Sequence, residues 1–223
     1  MKQRLRILFC LALAVGAAAA ADAPPARGGR ADFAADWQAQ GLQPANTRGL
    51  DLLYLRPGAA GAASVARVAP VEVELREGWQ RANRGLERAR LRPEEVQQLK
   101  DEVARGVGDE VREAFGVAPI ASGGVTPVLQ VRVLDLYLNA PELQAAVASR
   151  TYTNAYGDMV LVAELRDGPG GPLLLACWDH RPAREFASPR LTTRVENVIE
   201  VRAAARAWAR QLRREMERLG AGG

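Results

Sequence analysis

The sequence predicts an α+β fold: a mostly antiparallel sheet of about five strands, with two main helices packed on one of its faces. Two kinds of pattern predict this class. Several short runs alternate apolar and polar residues, as half-buried strands do, and two long segments repeat apolar residues every three or four positions, as amphipathic helices do. Their order is strand, strand, helix, three strands and helix, which is typical of helices covering an antiparallel sheet.

The composition is that of one folded domain. The chain has 223 residues, of which 48% are hydrophobic and 25% are charged. This is enough for a single well-packed core and is unlike the composition of a disordered protein. We assign the domain to residues 41–219, after a segment, residues 22–40, that consists of a flexible tether and a short helix from Asp32 to Gln40.

Two strands are predicted before the first long helix. Residues 49–55 form an apolar run that Pro57 and Gly58 end. Residues 65–75 alternate in their second half, so one face of this strand carries apolar side chains and the other carries carboxylates. The alternating residues are Val71, Val73 and Leu75 on one face and Glu72 and Glu74 on the other.

The first long helix is predicted to begin at Pro93, which suits the first helical position, and to stop at Gly116. Gly106 and Gly108 lie within it, and each lowers helix stability by about 1 kcal/mol relative to alanine. Packing against the sheet must therefore offset this cost. The predicted buried stripe consists of Val96, Leu99, Val103, Val107, Val111 and Phe115.

Three strands and a final helix follow. The strands are predicted at residues 128–138, at 150–166 with a break around Gly157, and at 173–178. The Gly/Pro-rich turn at 167–172 joins the last two strands as a hairpin. The helix covers residues 193–219, and its predicted buried stripe consists of Val198, Val201, Ala205, Trp208, Leu212 and Met216.

Residues 1–21 have the pattern of a secretory signal peptide. Three basic residues open the chain, a nine-residue apolar stretch follows, and small residues lead to a cleavage motif at Ala19 and Ala21. The apolar stretch is shorter than the roughly 20 residues of a membrane-spanning helix, so no transmembrane anchor is expected after cleavage. Cys10 lacks the small preceding residue of a lipobox. We therefore expect the protein in the periplasm rather than as an outer-membrane lipoprotein.

Cleavage also changes the charge. The formal net charge falls from +4 to +1, because the signal segment contains three basic residues and no acidic one. A nearly neutral protein gives no reason to expect nucleic acid as a partner.

No set of residues predicts catalysis, a metal site or a cofactor site. The single histidine, His180, follows Asp179 at the end of a predicted strand. Neighbouring strand side chains point to opposite faces, so we interpret His180 as a surface residue. Cys177 lies in an apolar run and is interpreted as buried and unreactive. The glycines at 168–171 precede a strand rather than a helix, so they do not form a phosphate loop. The protein is predicted not to be an enzyme.

Two surface patterns are candidates for binding. Five arginines recur every four residues in the last helix, with Arg213 beside them: Arg202, Arg206, Arg210, Arg214 and Arg218. They could contact anionic lipid headgroups or an acidic partner. A solvated charged face, paired locally with glutamates, is the other interpretation of the row and the one that the sequence favours. The second pattern is a group of tyrosines among polar residues, predicted to line a cleft between sheet and helices. These tyrosines are Tyr137, Tyr152 and Tyr156.

Several segments resemble the domain-of-unknown-function 3313 family, a group of bacterial envelope proteins of which many are predicted lipoproteins. The segments are GLDLLYLRPGA, VLQVRVLDLYLNAPEL, SRTYTNAYGDMVLVAELRD and VENVIEVRAAARAWARQLR. The resemblance covers roughly residues 41–219. It implies a place in the envelope but no activity, substrate or residue role, and this chain departs from the lipoprotein members because it lacks a usable lipobox.

These patterns predict a non-enzymatic, periplasmic accessory protein that binds another envelope component, either a protein or a lipid. The alternative is a small-ligand or lipid-binding module. Neither hypothesis requires a cofactor.

Overall fold

The computed structural model describes residues 29–59, 65, 67–79, 91–117, 127–138, 152–182, 184–191 and 194–220, and only the backbone of residues 152–156, 184–191 and 194. The predicted signal peptide and its cleavage motif lie outside these residues. The helices are α1 (Arg30–Ala39), α2 (Pro93–Phe115) and α3 (Arg194–Gly220). The strands are β1 (Gln43–Pro44), β2 (Leu52–Leu55), β3 (Arg67–Val68), β4 (Glu72–Leu75), β5 (Val128–Tyr137), β6 (Tyr152–Tyr156), β7 (Asp158–Arg166), β8 (Leu173–Arg181) and β9 (Arg184–Leu191).

The main sheet has seven strands in the order β1-β2-β8-β7-β5-β3, with β4 also paired to β5. The predicted α+β class and the mostly antiparallel sheet are confirmed, but the strand count is higher than five. One reason is that the strand predicted at 65–75 is two short strands. Pro70 lies between them and has no N–H to donate to a ladder.

The sheet also contains parallel pairs. Both β3 and β4 pair in parallel with β5, while β5, β7, β8, β2 and β1 form consecutive antiparallel pairs. Parallel neighbours need a long crossover between them, and α2 lies in that crossover between β4 and β5. The first helix of the predicted order therefore belongs to a β-α-β unit.

Helices α2 and α3 cover one face of the sheet, as predicted. Within α2, Leu99, Val103, Val107 and Val111 are buried, with Val96 and Phe115 partly buried at the two ends of the stripe. All six residues of the predicted α3 stripe are buried. Five of them belong to the same core, namely Val201, Ala205, Trp208, Leu212 and Met216. The C-terminus of α2 is set by Gly116, whose left-handed φ of 65° and backbone N–H bond to Glu113 end the helix.

Helix α1 packs on the opposite face of the sheet. Its Phe33 and Trp37 are buried in a second apolar cluster with Tyr54, Val162 and Ala176. The packed part of the chain therefore includes α1 as well as the residues after 41. The indole Nε1 of Trp37 donates to Oε1 of the buried Glu164, 2.9 Å away, so a buried hydrogen bond also fastens the helix to the sheet.

The predicted hairpin at 167–172 joins β7 and β8. The Asp167 N–H donates to the Pro172 carbonyl at 3.0 Å, and Gly168 and Gly170 have φ values of 81° and 70° that favour glycine. Strand β6 precedes β7, with Gly157 between them, and β9 follows β8 after Pro182. β6 and β9 pair with each other in a separate two-stranded antiparallel sheet. The predicted break around Gly157 is confirmed, whereas β9 was missed.

No helix in the described ranges has the length and hydropathy required for a membrane crossing.

Candidate interaction surface

The arginine row predicted from the sequence lies on the solvent side of α3. The buried stripe of this helix faces the sheet and α2, so the residues opposite to it face outward. Arg202, Arg206, Arg210 and Arg214 are all exposed. These four arginines are therefore accessible at the surface. They differ in whether a carboxylate of the described chain is paired with them.

Arg202 and Arg206 are fastened to a buried carboxylate of α2. The Glu110 side chain is only 1% exposed. Its Oε2 accepts from Nε of Arg206 at 2.6 Å, and its Oε1 accepts from Nε of Arg202 at 3.1 Å. Hydrogen bonding by Arg206 is the main reason that the pKa of Glu110 lies below its usual value; burial opposes it, and Arg202 adds to it.

Arg213 and Arg218 pair with Glu217 and Glu215 of their own helix, whereas Arg210 and Arg214 are not held by a carboxylate of the described chain. Arg214 donates to the neutral side chain of Gln211 at 2.7 Å. Arg210 makes no hydrogen bond or ion pair with any residue in the described part of the chain. Their charges therefore remain at the surface without a carboxylate partner among those residues.

Two large aliphatic side chains lie on the same side of α3. Val195 is 64% exposed and Ile199 is 56% exposed, one helical turn apart at the start of the helix. They are the exposed large hydrophobic residues of the described chain. We call this surface the outer face of α3. It consists of Val195, Ile199, Arg202, Ala203, Arg206, Ala207, Arg210 and Arg214, all of which are exposed.

Of the three tyrosines predicted to line a cleft, only Tyr137 has a described side chain. The Arg76 guanidinium lies over its ring, 5.3 Å from the ring centre. Tyr152 and Tyr156 are in β6, opposite Leu191 and Arg184 of β9. Only the backbone of these two tyrosines belongs to the described part of the chain. The structure thus places Tyr137 at the end of the main sheet and the other two tyrosines in the β6–β9 ribbon.

Next to Tyr137, a row of charged and polar groups crosses the end of the sheet. Arg76 contacts Asp135 at 2.7 Å and Asp158 at 3.4 Å, and Asp158 Oδ1 lies 2.7 Å from Nε2 of His180. Hydrogen bonding to Asp135 raises the pKa of Arg76. Each member of this row has a partner within it, so the row braces the irregular end of β5, where Asp135 has a φ of 51°.

His180 and Cys177 have the surroundings that the sequence predicts. The His180 side chain is 43% exposed, whereas the neighbouring Asp179 is buried and accepts from the Asp51 N–H at 3.1 Å. Cys177 is fully buried and unpaired, and burial raises the pKa of its thiol well above the usual range. Among the residues that the structure describes, no three His, Cys, Asp or Glu side chains form a group suited to a metal ion.

Two carboxylates that organise the structure were missed in the sequence analysis. Glu110 lies between Val107 and Val111, and Glu164 lies between Ala163 and Leu165. The available signal was a charged residue on the side of its element where the apolar residues lie, because such a residue is rarely buried without a partner. Arg166, a partner of Glu164, is only two residues away. The other partner arginines, Arg132, Arg202 and Arg206, come from distant segments.

Comparison with known proteins places the chain in no family. No family model matches it, and no curated protein matches it. Among solved structures, one match is a dodecamer of a PelC variant from Paraburkholderia phytofirmans, with 12% sequence identity and a TM-score of 0.34. The match covers 77% of this chain and 95% of that chain. At this TM-score the likeness carries no inference about function.

Proposed function

We propose that the protein is an exported, non-enzymatic accessory protein of the bacterial envelope, which binds another envelope component through the outer face of α3. The signal-peptide pattern of residues 1–21 supports export to the periplasm. The segments that resemble the domain-of-unknown-function 3313 family support a place in the envelope, and membership of that family is part of the proposal.

The binding role is supported mainly by one observation: Val195 and Ile199 are exposed on the same face of α3 as Arg210 and Arg214. Aliphatic side chains in water cost free energy that covering them would recover, by about 1–2 kcal/mol for each residue, because each is a little more than half exposed. The remaining large hydrophobic residues of the described chain are buried or half-buried. A contiguous surface that combines the two exposed aliphatics with arginines that have no carboxylate partner is suited to a partner rather than to internal packing.

Site-specific photo-crosslinking in living cells tests this proposal. A benzophenone amino acid at position 199 should give a reproducible adduct with one envelope component, either protein or lipid. The matched control is the same amino acid at Gln98, an exposed position of the other long helix, α2. Adducts of equal yield and identity at both positions, or none at position 199, would show that this face does not bind a partner.

A further inference from the structure

We infer that the component bound by the outer face of α3 is an anionic phospholipid surface. This inference rests on the proposed function and names the chemical class of its partner.

The C-terminal two-thirds of α3 carries more positive charge than its partners neutralise. Its arginines contact three carboxylates: Glu110, which Arg202 and Arg206 share, together with Glu215 and Glu217, which belong to Arg218 and Arg213. The arginines of this stretch are Arg202, Arg206, Arg210, Arg213, Arg214 and Arg218. Glu196 and Glu200 are near the start of the helix and have contacts of their own. The excess of arginines suits an anionic partner.

Phosphate is the anion that suits these side chains best. A guanidinium group donates two parallel hydrogen bonds to a phosphate, and its weak hydration makes this exchange with water favourable. Arginine stems also cover apolar surface while the charged group reaches the headgroup level. Arg210 and Arg214 have the freedom to do this, because neither is paired with a carboxylate among the described residues.

The composition of the face favours a membrane over a protein. Tight protein interfaces are usually centred on aromatic anchors, and the outer face of α3 contains only valine, isoleucine, alanine and arginine. Its two aliphatic side chains lie at one end, where they could insert among lipid headgroups, and the arginines with no carboxylate partner lie at the other end. From Val195 to Arg214 the face is about 28 Å long at 1.5 Å per residue, which is a long, narrow strip suited to a flat surface.

Vesicle flotation with the protein purified from exporting cells tests the inference. The protein should float with vesicles of phosphatidylglycerol and phosphatidylethanolamine at low salt, should be released by added salt, and should not float with phosphatidylcholine alone. The double variant Arg210→Gln/Arg214→Gln should bind about 25-fold more weakly, at roughly fivefold for each arginine near an anionic surface. Ile199→Ser should weaken binding without changing its salt dependence.

The matched control is Lys100→Gln/Arg105→Gln, which removes the same charge from α2. It should bind as the parent does. Absence of flotation with anionic vesicles, or an equal loss in both double variants, would overturn the lipid inference. If the protein does not float with anionic vesicles while position 199 still crosslinks to a single protein, the proposed function stands and its partner is that protein. If neither flotation nor a specific crosslink is observed, both proposals are wrong.

Discussion

At the scale of single residues, Gly106 shows how a residue with no side chain positions a charged one. A Cβ atom at position 106 would lie 2.8 Å from Cγ and 3.0 Å from Cδ of Arg202, which is closer than real Cβ contacts. Glu110 follows Gly106 by one helical turn and receives the guanidinium of the same arginine. The absence of a side chain at 106 therefore lets the Arg202 stem cross α2 on its way to Glu110.

Alanine at 106 and alanine at 108 should have opposite effects on stability. Each substitution adds helix propensity, by about 1 kcal/mol. At position 106 the new methyl group collides with the Arg202 stem, and overpacking of this kind costs about 1–3 kcal/mol. At position 108 it meets only the mobile end of Arg112 at 3.2 Å and Val71 at an ordinary 3.5 Å. We expect Gly106→Ala to lower the urea midpoint and Gly108→Ala to raise it.

The double variant Gly106→Ala/Arg202→Ala separates the collision from other causes. Removing the stem should restore most of the stability that Gly106→Ala loses. Equal stability of Gly106→Ala and Gly108→Ala would show that helix propensity alone decides at both positions. The sequence predicted the cost of both glycines, but it could not predict which one the fold requires, because the side chain that occupies the space belongs to another helix.

At the scale of elements, Glu110 is the polar connection between α2 and α3. Arg202 and Arg206 reach Glu110, and Arg213 donates to the Ala114 carbonyl at 3.0 Å. The contacts advance together along both helices, so α2 and α3 run side by side in the same direction. Since α2 also provides the crossover between β4 and β5, this connection ties α3 to the parallel part of the sheet.

The stability that Glu110 provides should depend on pH in a defined direction. Its pKa in the folded protein is held below its usual value, mainly by the hydrogen bond from Arg206. Its contribution is therefore fully present above the unfolded pKa and is lost as the pH falls through the folded pKa. Glu110→Gln should cost about 1–2 kcal/mol at neutral pH, as expected for hydrogen bonds to a charged group. The difference in free energy of unfolding between this variant and the parent should shrink as the pH falls through the pKa of Glu110 in the folded protein.

Urea midpoints of both proteins between neutral and strongly acidic pH measure this difference. Glu94→Gln is the control, because Glu94 forms an exposed pair with Arg92 and should contribute little at any pH. Burial raises the pKa of Asp179, so its effect on the pH dependence of stability has the opposite sign to that of Glu110. Asp179 is present in both proteins, so its effect cancels in their difference. A difference that stays constant across the acid range would mean that the charge of Glu110 is not what stabilises the contact.

The elements that the sequence predicted well are those fixed by local pattern. The buried stripes of α2 and α3 and the hairpin at 167–172 depend on spacing within one segment, and all are confirmed. The parallel pairing of β3 and β4, the packing of α1 and the pairing of β9 depend on contacts between distant segments. The same distinction holds for the candidate surface: the arginine row was visible in the sequence, whereas the pairing of two of its members with the single carboxylate of Glu110 was not.

At the scale of the whole molecule, the sheet is shared between two cores. Along β7, Leu161 and Ala163 face α2 and α3, while Val162 and Glu164 face α1. Glu164 also contacts the buried Arg132 of β5 at 3.1 Å, so it joins α1 to two neighbouring strands. Because the same strands form the floor of both cores, neither core keeps its packing when these strands separate.

The two cores should therefore unfold together. Trp37 reports on the α1 side and Trp208 on the α3 side, and both are fully buried. Tryptophan fluorescence and far-ultraviolet circular dichroism should give one coincident urea transition. Glu164→Ala leaves Arg132 buried without its carboxylate and should cost about 3 kcal/mol, moving both probes to the same lower midpoint, while the exposed Glu72→Ala should move neither by much. In Glu164→Ala, the fluorescence transition could instead occur at a lower urea concentration than the circular-dichroism transition. If that early transition disappears when Trp37 is replaced by phenylalanine, α1 detaches while the rest of the protein remains folded.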